Sequence, residues 1–236
     1  MLELSEVCVW YGRRQILHDV ELTLEPGECV AVIGSNGAGK TTIARALARI
    51  GGRTYGRIAV DGIDLLAIKA HKVARAGLAL VPERGGLLSR MTVLENLRLS
   101  LESAGRARPG GEDRLAWCYE LFPRLKERST QRAATLSGGE RRMLLLSRAI
   151  VSGAQYLVLD EPSLGLMPSL TTELLTGVVP RMIREGMAVL LIEQNAEQAL
   201  SIAARAYVLE RGRVVAQGQA STLLASDMVR SAYLGI

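Results

Sequence analysis

No stretch of this 236-residue sequence is apolar for long enough to cross a membrane. The best apolar run covers residues 188–192, whereas a spanning helix needs about 20 residues. The N-terminal Met-Leu-Glu-Leu also lacks the basic lead and apolar core of a signal peptide. The sequence therefore predicts a soluble chain, for which any role at a membrane is peripheral.

Cysteine is scarce, and its three positions, Cys8, Cys29 and Cys118, are widely spaced. This spacing fits neither a disulfide framework nor a metal site, so we expect small core residues in a reducing compartment. Hydrophobic residues make up 48% and charged residues 22%, which excludes a disordered or fibrous protein. The net charge of +5 suits an anionic partner, but it does not choose among nucleotide, nucleic acid and lipid.

The order of apolar patterns predicts one α/β domain over residues 1–236 with a helical insertion. Residues 1–89 and 153–236 form the α/β core with an antiparallel β subdomain, and residues 90–152 form the helical lobe. The lobe begins at a capping box, Thr92 to Glu95, and contains a Gly/Pro loop at 106–111. The predicted strands are 3–11, 19–24, 29–33, 57–60, 156–159 and 188–192, with a hairpin over 207–215, and the predicted core helices are 40–49, 169–185 and 196–204.

A glycine-rich loop follows the continuous apolar strand 29–33 and opens a helix. It matches the phosphate-binding pattern G-x-x-x-x-G-K-[ST] with Gly34, Ser35, Asn36, Gly37, Ala38, Gly39, Lys40, Thr41 and Thr42. Its backbone N–H groups and the helix N-terminus favour an anion. Lys40 is expected to reach the β- and γ-phosphates of ATP, and the Thr41 hydroxyl to ligate Mg²⁺.

Two carboxylates end the apolar strand 156–159. Asp160 lies where an aspartate would hold Mg²⁺ through water, so it is a second candidate metal ligand. Glu161 follows where the chain leaves the strand, and it is the candidate general base for a water attacking the γ-phosphate.

A second anion site is predicted at Leu136-Ser-Gly-Gly-Glu140. Ser137 and Glu140 have capping-box spacing, which predicts a helix that starts near Glu140, and Gly138 and Gly139 leave backbone N–H groups bare. Because the first loop already serves the chain's own nucleotide, the second site suggests a head-to-tail dimer. Each lobe would then cover the ATP of the other subunit.

These motifs, in this order, resemble the ATP-binding subunits of ABC transporters over essentially the whole chain. The resemblance implies a P-loop NTPase (RecA-like) core with an antiparallel β subdomain and an inserted α-helical signature subdomain. It also implies that Tyr11 stacks on adenine and that residues 163–168 form a D-loop, which contacts the opposite subunit.

Two positions depart from the usual ABC pattern. Glu83 stands at the Q-loop position that is usually Gln, and Gln194 stands where the switch histidine is usual. The two histidines of the chain, His18 and His71, lie far from that strand in sequence. Glu83 is therefore expected to offer an oxygen to Mg²⁺ or to the attacking water. Gln194 is expected to position the γ-phosphate without exchanging a proton.

Both departures, with Glu-Gln-Asn-Ala after the strand and Tyr-Leu-Gly at 233–235, resemble the LivF-type subunits of branched-chain amino-acid importers. That branch usually has Pro-Glu-Gly-Arg at the Q-loop, whereas this chain has Pro82-Glu-Arg-Gly85. The resemblance implies a second ABC ATPase subunit, identical or related, two permease subunits that dock beside residues 83–101, and a periplasmic solute-binding protein. It implies the cytoplasmic face of a prokaryotic inner membrane.

The sequence leaves other functions open. The transported solute could be another small polar compound, such as an amide. A soluble ABC ATPase acting on nucleic acid or the ribosome usually has two fused cassettes or a long coiled coil, and neither occurs in this sequence, so no nucleic-acid partner is expected. A small-molecule kinase would have no use for residues 136–140.

Overall fold

Two β-sheets share one apolar core, and helices cover the other face of the larger sheet. The computed structural model describes residues 1–103, 110–226 and 229. The strands are β1 (Leu2–Tyr11), β2 (Arg14–Leu24), β3 (Cys29–Ile33), β4 (Arg53–Val60), β5 (Ile63–Asp64), β6 (Leu78–Val81), β7 (Tyr156–Asp160), β8 (Ala188–Glu193), β9 (Arg205–Glu210) and β10 (Arg213–Gln219). The helices are α1 (Lys40–Leu47), α2 (Val93–Ser103), α3 (Gly111–Leu121), α4 (Pro123–Glu127), α5 (Gly138–Val151), α6 (Pro168–Thr172), α7 (Val179–Arg184), α8 (Ala196–Ile202) and α9 (Ala220–Ala225).

The larger sheet has the strand order β10-β9-β3-β8-β7-β6 and is parallel except at β10. Strand β8 lies between β3 and β7, with Ile33 paired to Glu193 and Asp160 paired to Ile192. The carboxyl ends of three adjacent strands therefore meet at one edge. In open α/β sheets this edge is where ligands bind.

Strand β3 is buried on both faces, as its continuous apolar run predicts. Cys29, Ala31 and Ile33 pack toward the core shared with the helices. Val30 and Val32 pack toward the core shared with the smaller sheet. That smaller sheet is antiparallel with the order β2-β1-β4-β5, so the predicted fold class is confirmed.

Helices α2 to α5 occupy the stretch between β6 and β7. Helix α2 starts at the predicted capping box: the Glu95 N–H donates to Thr92 Oγ1 at 3.2 Å, and the Thr92 N–H donates to Glu95 Oε2 at 2.7 Å. Most of the predicted 106–111 loop and the 233–235 motif lie outside the described residues. The domain limits at residues 89–90 and 152–153 stay predictions.

The helix predicted over 169–185 is not uniform. A π-helical segment, Glu173–Val178, separates α6 from α7 without a break in the chain. Pro180 explains the difference, because it has no N–H to donate and its ring excludes the carbonyl four residues earlier. The other predicted helices and strands are present with ends that differ by a few residues, and the hairpin turns at Arg211 and Gly212 as predicted.

The cysteine prediction was wrong for Cys8. Cys29 and Cys118 are buried, and burial raises the pKa of each thiol to about 12. Cys8 is only half-buried on the outer side of β1, where its Sγ lies 3.2 Å from Asp19 Oδ1. The alternation of β1 places its odd-numbered neighbours Val7 and Val9 in the core and turns Cys8 outward.

We expect Cys8 to be the first thiol to react with a disulfide reagent at pH 8. Cys29 and Cys118 should react only when the chain unfolds, because the thiolate is the reactive form and both thiols are buried and un-ionised. Absorbance of the released thiolate gives the number of fast sites. Cys8→Ser should remove the fast phase, and a fast phase that survives in this variant would contradict the burial of the other thiols.

Candidate active site

An open cavity of about 760 Å³ lies at the carboxyl edge of the parallel sheet, a size suited to a small ligand. It brings together candidates from five separate segments of the sequence. Its lining consists of Tyr11, Arg14, Ile16, Asn36, Gly37, Gly39, Lys40, Thr41, Thr42, Arg45, Glu83, Glu161, Leu164 and Gln194.

The loop between β3 and α1 is held close to its surroundings by glycines. A Cβ at Gly34 would lie 2.3 Å from the Leu209 carbonyl oxygen, which no side chain tolerates. Gly39 has φ 111°, and a Cβ there would lie 2.8 Å from Leu17 Cδ2. Of the predicted loop residues, Gly34, Ser35 and Ala38 do not line the cavity; Gly34 and Ala38 are buried and Ser35 is exposed.

Lys40 places a buried cation inside this loop. Its Nζ donates to the carbonyl oxygens of Gly34 at 2.8 Å and Ser35 at 3.3 Å. It also lies 3.6 Å from Glu161 Oε1, with only 4% of the lysine side chain exposed. A buried ammonium with nearby backbone N–H groups is suited to bind an anion such as phosphate.

Thr41 and Asp160 form the polar pair expected for a magnesium site. The Thr41 hydroxyl donates to Asp160 Oδ1 at 3.3 Å. Adjacent ligands of an octahedral Mg²⁺ lie about 2.9 Å apart, so these two oxygens are close enough to serve one ion. Burial raises the pKa of Asp160 to about 6, and the like charges of Glu161 and Glu83 add to this. A cation bound beside Asp160 would offset both the burial and the like charges, and it would favour the ionised carboxylate.

The protein side chains near this pair are too few to chelate a metal alone. Within the described ranges, no group of three or more His, Cys, Asp or Glu residues could hold an ion. Mg²⁺ bound with nucleotide needs no such group, because it takes only one or two protein ligands and completes its shell with phosphate and water oxygens. The residues present therefore fit Mg²⁺ that arrives with a nucleotide.

Glu161 is held in a sparsely populated backbone conformation. Its φ is 47°, in the left-handed region that non-glycine residues rarely adopt. Its N–H donates to the Ile192 carbonyl at 2.8 Å, which continues the pairing of β7 with β8 by one residue. The side chain is 13% exposed and faces both Lys40 and the cavity. Such strain is typical of functional positions.

Glu83 and Gln194 both line the cavity. The Glu83 carboxylate also accepts a hydrogen bond from the exposed Arg84 Nε at 2.9 Å. The Gln194 N–H donates to Glu193 Oε2 at 3.3 Å, while its side chain lies at the cavity. An amide and a carboxylate are thus available on two sides of the space beside Lys40.

Tyr11 lies at the end of β1 and lines the same cavity. Arg14 and Ile16 join it, and neither was predicted from the sequence. The hairpin register, which pairs Tyr11 with Arg14, was a usable signal. A flat ring beside an apolar side chain and a guanidinium offers stacking contacts to a nucleobase.

The signature residues lie away from this cavity, at the start of α5. The helix begins at Gly138, two residues before the predicted start, because a capping box puts Ser137 outside the helix and Glu140 in its first turn. The Ser137 N–H donates to Glu140 Oε2 at 2.8 Å, and Arg128 pairs with the same carboxylate at 2.8 Å. The structure therefore does not bring Ser137, Gly138, Gly139 and Glu140 to the chain's own phosphate loop.

The two signature glycines differ in their surroundings, although the sequence predicts bare backbone N–H groups at both. A Cβ at Gly138 would meet no atom within 4 Å, so its backbone is open to a ligand. A Cβ at Gly139 would lie 2.7 Å from Leu170 Cδ1, so this residue is small because α6 packs against α5.

Two buried charged residues near the cavity were also missed. Glu193 is 2% exposed, burial raises its pKa, and its Oε1 accepts a hydrogen bond from the Ser163 N–H at 3.0 Å. Arg142 is 7% exposed and contacts the loops that hold Glu83 and Glu161. The sequence does carry one signal for Arg142: it lies on the apolar side of α5, one turn from Leu146, where a charged residue is expected to be buried.

Comparisons with known proteins agree with this geometry. A profile of the family "ABC transporter" matches residues 17–164. The branched-chain amino acid transport ATP-binding protein BraG of Pseudomonas aeruginosa is 43% identical over 235 residues, covering 100% of both chains. The probable branched-chain amino acid transport ATP-binding protein LivF of Archaeoglobus fulgidus is 30% identical and covers 100% of this chain and 99% of its own.

The fold is also that of solved cassettes. A structure of an ATP-binding subunit of an ABC transporter superposes with a TM-score of 0.84 and 29% identity, covering 100% of this chain and 96% of that one. Among the residues that the structure describes, no helix is both long and apolar enough to pass through a bilayer. The chain belongs to the ABC transporter family, as one of its ATP-hydrolysing cassettes.

Proposed function

We propose that this cassette hydrolyses ATP to drive the uptake of branched-chain or closely related amino acids through an ABC importer. The full-length 43% identity to BraG carries the choice of solute class. Lys40 and Glu161 meet at one cavity, and Asp160 accepts a hydrogen bond from Thr41, which also lines it; this arrangement supports the hydrolytic role.

ATP would bind with its phosphates in the loop between β3 and α1 and its adenine on Tyr11. The N–H groups of Gly37, Gly39 and Thr41 and the Lys40 ammonium would hold the phosphate oxygens. Lys40 would exchange its carbonyl contacts with Gly34 and Ser35 for phosphate. Thr41 and Asp160, with Glu83 nearby, would hold Mg²⁺, which supplies charge neutralisation at the phosphates when bound.

Hydrolysis would need a water oxygen to attack the γ-phosphorus as its bond to the leaving oxygen of ADP breaks. Glu161 would accept the proton of that water, since its carboxylate is the one beside Lys40. Gln194 would donate from its amide to a γ-phosphate oxygen and fix its direction. Glu83 would orient the water or the metal.

The working unit would be a head-to-tail pair of cassettes, in which Ser137 and the open Gly138 of one subunit cover the ATP of the other. Dimeric assemblies of ABC cassettes are known among the structural neighbours. We infer a related or identical second cassette, two permease subunits docked beside residues 83–101, and a periplasmic solute-binding protein. We infer from these partners a position on the cytoplasmic face of a prokaryotic inner membrane. No nucleic-acid partner is proposed.

Transport in proteoliposomes tests the proposal. The cassette, co-purified with its permease and second ATPase subunits, should take up radiolabelled leucine, isoleucine or valine when the binding protein and ATP are supplied. Uptake of an amide in place of these amino acids would correct the solute class. ATP hydrolysis stimulated by nucleic acid, without membrane subunits, would contradict the importer role.

We expect Gln194→Ala to lower turnover by only about tenfold, because it removes one hydrogen bond to a charged group and no proton acceptor. The affinity for ATP should change little. Steady-state ATP hydrolysis measures the loss, and Gln198→Ala, an exposed amide on α8, is the matched control. A loss as large as that of a Glu161 variant would contradict a positioning role for Gln194.

A further inference from the structure

Arg142 is a buried cation that donates only to backbone carbonyls among the hydrogen bonds of the described residues. Its Nη1 donates to the Pro82 carbonyl at 2.9 Å. Its Nη2 donates to the carbonyls of Glu83 at 3.0 Å and Glu161 at 3.4 Å. A single guanidinium thus joins helix α5 to the loop after β6 and to the loop after β7.

Two of these carbonyls belong to Glu83 and Glu161, which both line the cavity. The Glu161 peptide is held on one side by the Ile192 carbonyl, at 2.8 Å from its N–H, and on the other by Arg142. Because Glu161 has a left-handed φ of 47°, its backbone needs such support to stay in place. Arg142 therefore helps to fix the direction of the Glu161 side chain.

The electrostatic surroundings favour a cation at this position. Burial lowers the pKa of Arg142, while the negative charges of Glu193, Glu83 and Asp160 oppose that effect. Only arginine offers a fork of donors wide enough to reach three carbonyls from one helix position. Lysine keeps the charge but donates from a single nitrogen.

The signature residues at the start of α5 do not line this cavity. Ser137 and Gly138 lie one turn before Arg142, and Gly138 is open to a ligand. Gly139 and Leu170 are in close contact, which fixes α5 against α6. A displacement of the first turn of α5 would therefore also move Arg142. Through its hydrogen bond to the Glu161 carbonyl, Arg142 would pass this displacement to the backbone of Glu161.

We propose that Arg142 is a positioning residue that couples the two nucleotides of a cassette pair, by linking the signature end of α5 to Glu161 of the same chain. This inference rests on the proposed function, because it requires a second subunit whose ATP contacts Ser137 and Gly138. When that ATP engages α5, Arg142 holds Glu161 in place over the chain's own ATP. Loss of the link uncouples the two sites without removing either one.

The test is ATP hydrolysis by the transporter complex in proteoliposomes as a function of ATP concentration. Arg142→Met removes the donors and should lower kcat about tenfold, as is typical when a supporting contact of a site is lost. The Hill coefficient for ATP should fall toward 1, while the Kd for ATP of the purified cassette stays within about twofold. Arg142→Lys should lower both kcat and the Hill coefficient less, and it keeps the test valid if the Met variant does not fold. Arg184→Met, an exposed arginine on α7, controls for loss of charge and should match the wild type.

The outcomes separate this inference from the proposed function. A folded Arg142 variant with the wild-type kcat and Hill coefficient would overturn the inference. So would a lowered kcat with an unchanged Hill coefficient, since Arg142 would then support Glu161 without coupling the sites. A wild-type chain that neither binds nor hydrolyses ATP would instead overturn the proposed function.

Discussion

Glu161→Gln is expected to lower ATP turnover by about 10³-fold or more, within the usual range for losing a general base. The substitution keeps the size of the side chain and its reach toward Lys40, but the amide cannot accept a proton. ATP binding should be preserved or strengthened, because the variant also removes a negative charge near the phosphates. Release of inorganic phosphate measures turnover, and equilibrium binding of a fluorescent ATP analogue measures affinity.

Glu185→Gln is the matched control for this variant, since Glu185 is an exposed carboxylate at the end of α7. It should leave both turnover and binding unchanged. Near wild-type hydrolysis by Glu161→Gln would remove Glu161 from the role of base. The next carboxylate to test would then be Glu83, which lines the same cavity.

Lys40→Met is expected to weaken ATP binding by about 10²-fold or more. The lost ammonium would make charge-assisted contacts to phosphate oxygens, each worth about 1.5–3 kcal/mol. The variant also leaves Glu161 without the cation that lies 3.6 Å away. Titration calorimetry with ATP and Mg²⁺ gives the change in Kd directly.

Lys72→Met controls for the loss of one lysine charge, because Lys72 is exposed and lies outside the cavity. It should bind ATP as the wild type does. Thermal unfolding without nucleotide should be measured for both variants, so that a loss of binding by a folded Lys40→Met chain can be assigned to the site. Unchanged affinity in that folded variant would contradict the phosphate contact.

The parts of the site that could be predicted from sequence are those whose chemistry requires particular residue types at a fixed spacing. The phosphate loop, Asp160 and Glu161, and Ser137 to Glu140 are continuous motifs, and the strands and helices around them have clear periodicity. The fold class was predictable for the same reason. The roles of these residues in ATP binding and hydrolysis stay predictions until the variants are measured.

A sequence pattern can indicate that Arg142 and Glu193 are buried, but it does not indicate which groups they contact. Arg142 donates to carbonyls that any residue could supply, on segments about 20 to 60 positions away. Glu193 accepts from a backbone N–H, again without a required partner type. The difference between Gly138 and Gly139 likewise depends on where Leu170 packs, which only tertiary structure reveals.

The order of strands in the larger sheet has a consequence for how the chain is made. Thr41 and Asp160 are 119 positions apart, and β8, which separates β3 from β7, is synthesised after both. A nascent chain therefore exposes its phosphate loop long before the carboxylates and Gln194 are in place beside it. The cavity is completed by the last long-range pairings, and such pairings are slow to form. ATP should thus bind the finished cassette far better than any partly folded chain, and at 100 times Kd it would add about 2.7 kcal/mol to the stability of that finished state. In a cell with ample ATP, the nucleotide that the cassette hydrolyses would also stabilise its folded state.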